Sequence, residues 1–380
     1  MTRRSLRSSV LGAVLLLAGC GGTPGSGNEN HANQNASDAA ADLDAALVDA
    51  STDASVTPDA GGPVRPRFQV CDQDPVPENL PTVEWNHTTS AITVATGDPG
   101  HSAQDAITVV GRAEPIVGKF AYGAISKDLQ DEWVEVWIDR CEGALVKLGE
   151  VLTDTDGRVA LEIPAAELPP VGAYATWLRV MGDGSATRSV LRVVMPGTRV
   201  VVLDIDGTLT TSDTELFQDI FADLFVPLGT GDYVPVARAG AVDLTLRRGA
   251  SQGYLLVYMT GRPYYLTDIS RGWLADLAMA PGHLHLTDSN GEALPTEGGV
   301  GTYKAEYLAH LQSMGLLLDL AYGNATTDIY AYAQAAIAPA VTFIVGDNGG
   351  TDGTVAVGDD YALHLQTIAA EPPVIQPFDW

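Results

Sequence analysis

Cysteine is scarce in this chain of 380 residues, with three in all, at positions 20, 71 and 141, and neither Cys71 nor Cys141 has the surroundings of a catalytic thiol. Basic residues are scarce as well. Lys and Arg together number 21 against 48 Asp and Glu, a formal net charge of −27, so a polyanion such as nucleic acid meets general repulsion and is excluded as a partner. An anionic small group remains possible where a metal or a few Arg and Lys side chains reverse the field locally. The apolar run near the start, Val10 to Ala18, is too short to span a bilayer. What is present is a hydrophobic content of 46% and enough length for two domains with their own cores.

Arg3, Arg4 and Arg7 precede that apolar run, which ends in LAGC, Leu17 to Cys20. A basic start followed by a short apolar core is the pattern of an export signal. The ending resembles the lipobox of bacterial lipoproteins. The resemblance implies that residues 1–20 are a signal peptide and that Cys20 is lipidated and becomes the mature N-terminus. It places the chain, lipid-anchored, in the cell envelope, periplasmic or at the outer membrane, and Gly21 after the cysteine leans towards the latter. More than one acyl chain gives stable anchoring where a single chain is marginal. An ordinary secretory signal with an incidental cysteine is the alternative. In an exported protein Cys71 and Cys141 are compatible with one disulfide, or with two free thiols.

Residues 21–64 are Gly, Asn, Ala, Asp and Ser with almost no large apolar side chains, a composition that cannot bury enough surface to offset its conformational entropy. They are expected to form a disordered tether. Residues 65–196 then show short alternating segments divided by turn signals. These are AITVAT from Ala91, AITVV from Ala106, FAYGAI from Phe120, WVEVWIDRC from Trp133, LVKLGEVLT from Leu145, RVALEIP from Arg158, YATWLRVM from Tyr174 and SVLRVV from Ser189. In WVEVWIDRC, Val134, Val136 and Ile138 fall on one face. About eight strands without helical period predict an antiparallel β-sandwich.

From 197 to 380 the pattern changes to apolar strands alternating with helical stretches. VVVLD leads to helical LFQDIFADLF and AGAVDLTLRRGASQ, then strand YLLVYMT, helical DISRGWLADLA and strand HLHLT. Helical YKAEYLAHLQSM, strand LLDLAYG, helical TDIYAYAQAAI, strand VTFIVGD and helical ALHLQTI complete it. Such alternation predicts an α/β domain with a parallel sheet covered on both faces, its chemistry at the strands' carboxyl ends. The strand VVVLD runs into DIDGTLTTSD, where Asp204 and Asp206 sit one residue apart. Two such carboxylates cannot both be buried and unpaired, and a divalent cation would hold them together at neutral pH. Gly207 permits a tight turn and Thr208 offers a hydroxyl beside it.

Further polar signatures follow in order: Thr260, Gly261 and Arg262 after YLLVYM, Lys304 at a helix start, and Asn324 to Asp328 after LLDLAYG. In this order the motifs resemble those of the haloacid-dehalogenase phosphotransferase superfamily. Within it, DIDGTLTTSD, the Arg271-Gly272 pair and GNxxxD followed by IYAY resemble the lipin-type phosphatidate phosphatases. The run RAGAVD…YLLVYMTGRP…LAYG…FIVG, with GRVALEIP and VGAYATWLRVMGDGS before it, resembles the Nir, or retinal-degeneration-B, phosphatidylinositol-transfer proteins. Together these cover roughly residues 131–370. The fold implied is a Rossmann-like parallel sheet with a minimal cap. The Nir proteins commonly lack the first Asp of the motif and are then thought to bind phosphatidate without hydrolysing it, whereas this chain keeps Asp204.

The resemblance implies that Asp204 attacks phosphorus and that Asp206 acts as acid and then base. It implies that Mg²⁺ is held by Asp204, the Asp206 carbonyl, Asn324 and Asp328. Thr260 and Lys304 would hold phosphoryl oxygens, with Gly207, Thr208, Gly261, Arg262 and Arg271 binding substrate, a lipid phosphate. Asp347 and Asp352 in GDNGGTD are the alternative for the metal site, set aside because they follow a fifth strand. GGVGTYK before Lys304 reads as a plain loop, since no Gly precedes the Lys and no Ser or Thr follows it. His283 and His285 share a strand face but lack a third ligand. Asp213 to Gly253 holds two expected helices and no large lid, an openness that suits a substrate embedded in a bilayer.

Overall fold

The structure is a computed structural model, and it describes residues 70, 80–123, 126–142, 144–211, 236–288 and 296–377. The expected signal peptide, Cys20, the expected tether, Cys71 and the helix expected over LFQDIFADLF lie outside the described residues. Cys141 is disulfide-bonded, and its partner also lies outside them.

The first folded part carries ten strands. They are β1 (Ser102–Ala103), β2 (Ala106–Val109), β3 (Glu114–Lys119), β4 (Ala121–Tyr122), β5 (Lys127–Asp128), β6 (Trp133–Asp139), β7 (Leu145–Leu152), β8 (Arg158–Ile163), β9 (Gly172–Val180) and β10 (Ala186–Val194). A three-stranded sheet ordered β1-β3-β8 packs with a five-stranded sheet ordered β2-β10-β9-β6-β7, while β4 and β5 form a hairpin. Val134, Val136 and Ile138 are fully buried between the sheets, as the period-2 pattern of β6 requires, with Ile116, Leu178 and Leu191 among their neighbours.

Three expectations need correcting. AITVAT is not a strand: Thr88–Val94 is a helix, in which Ser90 is buried, Val94 packs on the sandwich core four residues later and Ile92 faces out. A spacing of four served a helical face where alternation had been read. The sandwich is not wholly antiparallel either, because β10 pairs β2 in parallel. And EPIVGK, whose pattern Pro115 and Gly118 interrupt, forms the additional strand β3.

The second folded part continues with β11 (Arg199–Asp204), β12 (Leu255–Pro263), β13 (His283–Thr287), β14 (Leu317–Gly323), β15 (Thr342–Val345) and β16 (Val355–Gly358). They form one sheet in the order β13-β12-β11-β14-β15-β16, every neighbouring pair parallel. Successive side chains of β11 alternate between the sheet's faces. Val201 and Leu203 pack with Leu244 and Trp273, from the Ala241–Leu246 and Thr267–Asp276 helices, and with Tyr361. Val200 and Val202 pack with Leu308, Leu311 and Tyr332, from the Thr302–Ser313 and Thr326–Gln334 helices. A strand buried on both faces must be apolar throughout, which is why it reads RVVVLD. Ile107, Val109 and Val194 of the sandwich join this second cluster, so the two folded parts share apolar core.

Candidate active site

Strand order reverses around β11. The chain steps outward from β11 to β12 and β13, then returns to the other side of β11 as β14. In parallel sheets such a reversal opens a crevice at the strands' carboxyl ends, and Asp204 is the last residue of β11. Beyond it the Ile205 carbonyl accepts from the backbone N–H groups of Thr208, Leu209 and Thr210, winding the loop into a tight turn. Gly207 sits in that turn at φ +76°, a conformation that favours glycine. Its N–H donates to Thr210 Oγ1 at 2.8 Å.

Asp204 is 4% exposed. Its Oδ1 accepts from Lys304 Nζ at 2.5 Å, and the same ammonium donates to Asp328 Oδ1 at 2.7 Å. Lys304 enters from the first turn of the Thr302–Ser313 helix. Asp328 is turned inward because its Oδ2 accepts from the N–H groups of Asn324 and Ala325, both at 3.0 Å, closing the start of its helix. Gly323 makes that approach possible: a Cβ there would lie 2.6 Å from Asp328 Cβ. Burial raises the Asp204 pKa, Asp328 adds to the rise, and Lys304 only partly opposes it. Burial works against the Lys304 ammonium in turn, but Asp204 and Asp328 outweigh it and hold its pKa above the ordinary lysine value.

Asp206 is held from the β12 side. Arg262 Nη2 donates to Oδ1 at 2.8 Å, Nε lies 3.1 Å from both oxygens, and Thr260 Oγ1 donates to Oδ2 at 2.6 Å. Gly261, between them, packs so tightly that a Cβ would lie 2.8 Å from Val300 Cγ2. Arg262 is fully buried, with Trp273 5.8 Å from its guanidinium and Ser270 Oγ 3.3 Å from Nη1. It was expected at the substrate, and in the structure its guanidinium lies on Asp206. Arg271 likewise donates to Asp105 Oδ1 of the sandwich at 2.8 Å.

The donor set suits a hard cation. Asp204 Oδ2 and Asn324 Oδ1 both lie against the Thr208 hydroxyl, at 2.7 and 3.1 Å, and are oxygens of the kind that a hard cation takes. Three buried carboxylates, Asp204, Asp206 and Asp328, face two cations, Lys304 and Arg262, which leaves room for further positive charge. Among the described residues no cluster of three or more His, Cys, Asp or Glu side chains is arranged to hold a metal, so a carboxamide and a backbone carbonyl would have to complete the set. Asp347 and Asp352 are exposed. Their loop touches the site through Asn348, whose Nδ2 donates to the Asn324 carbonyl at 2.8 Å. His283 and His285 belong to packing: His283 Nε2 lies 2.5 Å from Tyr307 Oη, and the ring of His285 stacks on Tyr307. Burial drives the His283 pKa down to about 3.

Arg238 escaped sequence reasoning. Its Nε donates to the Thr208 carbonyl at 3.1 Å, Nη2 to the Gly207 carbonyl at 2.5 Å and Nη1 to the Asp359 carbonyl at 2.6 Å, so it braces the Asp204 loop from behind. Tyr361 Oη donates to the same Thr208 carbonyl at 3.2 Å. The one signal was a lone Arg heading RAGAVD, which no spacing rule marks.

Residues 201–346 match the family model described as the LNS2 domain of PITM 1-3, and residues 99–193 match the PITM 1-3 β-sandwich domain. Among curated proteins, protein retinal degeneration B of Drosophila melanogaster is 30% identical over 296 residues, 76% of this chain and 22% of that protein. Human membrane-associated phosphatidylinositol transfer protein 1 is 28% identical over 287 residues, 74% and 21% of the two chains. Human membrane-associated phosphatidylinositol transfer protein 3 is 26% identical over 296 residues, 76% and 28%. The chain thus spans between a fifth and three tenths of these relatives' length, and its resemblance is to their β-sandwich and LNS2 portions. A superoxide reductase from Ignicoccus hospitalis aligns over 28% of this chain and 88% of its own at 15% identity with a TM-score of 0.18, too low to bear on the fold.

Proposed function

We propose that this chain is a Mg²⁺-dependent phosphatase of haloacid-dehalogenase type, acting on a lipid phosphomonoester such as phosphatidate and releasing diacylglycerol and phosphate. The observation that carries the proposal is the buried Asp204–Lys304–Asp328 cluster at the end of β11, with the nucleophile in place. The two human relatives are named for membrane association and phosphatidylinositol transfer, which favours a lipid over a soluble ester. Lipidation at Cys20, in a bacterial envelope, would bring the site to its substrate.

Asp204 attacks phosphorus, the ester P–O bond breaks, and an aspartyl-phosphate forms while Asp206 gives its proton to the leaving alkoxide. Asp206 then takes a proton from water, whose oxygen attacks phosphorus, and the bond to Asp204 breaks to release phosphate. Lys304 damps the repulsion between the Asp204 carboxylate and the anionic substrate. Asp204, Asn324, Asp328 and the Asp206 carbonyl would hold a Mg²⁺ ion, which would supply the remaining positive charge. Phosphate release from phosphatidate vesicles should require Mg²⁺, exceed release from soluble esters, and vanish in Asp204→Asn. Release that survives Asp204→Asn unchanged refutes the mechanism.

One observation favours a second reading, binding of phosphatidate without turnover. Both Asp206 oxygens are already engaged by Arg262 and Thr260, so the acid must leave that grip to reach a leaving group. Capture by phosphatidate vesicles with no phosphate release at any divalent cation would select this reading.

A further inference from the structure

A cleft of about 440 Å³ opens away from the Asp204 cluster, between the β3/β8 ladder and the Tyr264 segment that follows β12. Its lining includes Lys119, Arg158, Tyr264, Gln104, Asp154 and Asp288. Lys119 and Arg158 are register partners across the antiparallel ladder. Like charges placed directly opposite cost stability, and this chain has few cations to spend. Both lie over one ring, Lys119 at 5.9 Å and Arg158 at 5.2 Å from the centroid of Tyr264.

The carboxylates nearby engage the two cations unequally. Lys119, 8% exposed, is paired with Asp128 at 2.6 Å and also donates to the Asp156 carbonyl. Arg158 has no carboxylate within ion-pair reach among the described residues, and its Nη2 donates only to the Asp288 carbonyl. Asp154 Oδ1 is committed to the N–H groups of Asp156 and Arg158, both at 2.8 Å, and Asp288 Oδ1 to Gln104 Nε2 at 3.0 Å. A guanidinium with spare donors, a buried ammonium and an aromatic face converge on a space the size of a small headgroup.

We infer that this cleft is a second anion site, taking a phosphate monoester group on the Arg158 guanidinium with Lys119 and Tyr264 behind it. The phosphate can belong to a lipid headgroup or to a soluble ester, and the site does not depend on hydrolysis at Asp204. Tyr264 lies two residues beyond Arg262, the residue that grips Asp206, so an occupied cleft and the Asp204 crevice share one segment of backbone.

The test uses full-length protein carrying Asp204→Asn, titrated calorimetrically with glycerol 3-phosphate and, separately, sedimented with phosphatidylcholine vesicles with and without phosphatidate. Adding Arg158→Gln should weaken anion binding about tenfold or more, and Arg158→Lys should restore part of it. Loss confined to the vesicle arm assigns a lipid headgroup, and loss in both arms admits soluble esters. Adding Lys304→Met should leave the cleft's binding intact, so failure of the hydrolytic reading and failure of this one are separable. Should Arg158→Gln not fold, protection of Arg158 from phenylglyoxal by glycerol 3-phosphate or by phosphatidate vesicles, read by peptide mass, replaces it. Equal affinity with and without Arg158→Gln in both arms, or modification of Arg158 unaffected by either phosphate, overturns the inference.

Discussion

Asp105→Asn tests whether the sandwich is bolted to the parallel sheet or merely tethered to it. Asp105 is buried in the sandwich, and its carboxylate accepts from Arg192 Nη1 at 2.9 Å, Arg271 Nη1 at 2.8 Å, and the backbone N–H groups of Val190 at 3.0 Å and Leu284 at 3.1 Å. Asparagine keeps the shape but removes the charge, stranding an Arg192 side chain that is 4% exposed. Breaking a buried pair from one side costs about 3–5 kcal/mol, a large share of the 5–15 kcal/mol typical of a folded domain. Urea unfolding followed by circular dichroism should show that loss, and Tm should fall by about 6 °C or more. The pH dependence adds a second check. Burial alone would raise the Asp105 pKa, but Arg271 and Arg192 outweigh it and hold the carboxyl well below the usual range. A carboxyl depressed on folding stabilises fully above its unfolded pKa, about 3.9, and loses that contribution as pH falls further. The gap between wild type and Asp105→Asn should therefore be constant near neutrality and shrink below about pH 4. A cost under about 1 kcal/mol, or a gap that does not shrink in acid, refutes the reasoning.

Lys304→Met leaves Asp204 and Asp328 without their common cation, and phosphate release should fall by about 10²–10³-fold, measured as kcat/KM on phosphatidate vesicles. Gly323→Ala forces Asp328 away from a Cβ 2.6 Å distant, so hydrolysis should drop by about 10²-fold while the circular dichroism spectrum stays native. Arg238→Gln releases the Gly207 and Thr208 carbonyls, and kcat should fall with a Tm loss of only a few degrees; full activity would show that the loop holds itself. Chelation of divalent cations should abolish turnover, and Mg²⁺ should restore it.

The parallel sheet was legible because its strands are short, mainly apolar runs separated by helices at βαβ spacing, so β11 to β15 could be read from VVVLD, YLLVYMT, HLHLT, LLDLAYG and VTFIVGD. Strand β16 was not, because VAVG is too short to carry a period. The clustering of Asp204, Lys304 and Asp328 follows from residues standing at strand ends and helix starts, positions that sequence does reveal. Hydrogen-bond direction is what sequence hides. Nothing in MTGRP says whether Arg262 reaches outward to a phosphate or inward to Asp206, because that depends on the Trp273 ring and the Ser270 hydroxyl of a helix that packs back over it. Arg271, one residue after Ser270, poses the same question, and its answer lies 166 residues away at Asp105.

Those two arginines explain why a sandwich should precede this sheet. β13 is the sheet's edge, and an open edge both frays and invites pairing. The Gln104–Asp105 step covers it side chain by side chain. Gln104 Nε2 donates to the Leu286 carbonyl, Gln104 Oε1 accepts from Leu286 N–H, and Asp105 accepts from Leu284 N–H. The covered strand in turn holds the Arg262 carbonyl through the Thr287 hydroxyl, and Arg271, anchored on Asp105, adjoins the Ser270 that Arg262 touches. The bonds made by Gln104 and Asp105 are lost if the sandwich is withdrawn, which leaves the β13 edge and Arg271 without these partners, whereas the Thr287 and Ser270 contacts to Arg262 lie within the second folded part. The strand and helix that flank Arg262 are therefore anchored on Gln104 and Asp105 of the sandwich, and the two folded parts are joined around the residue that holds Asp206.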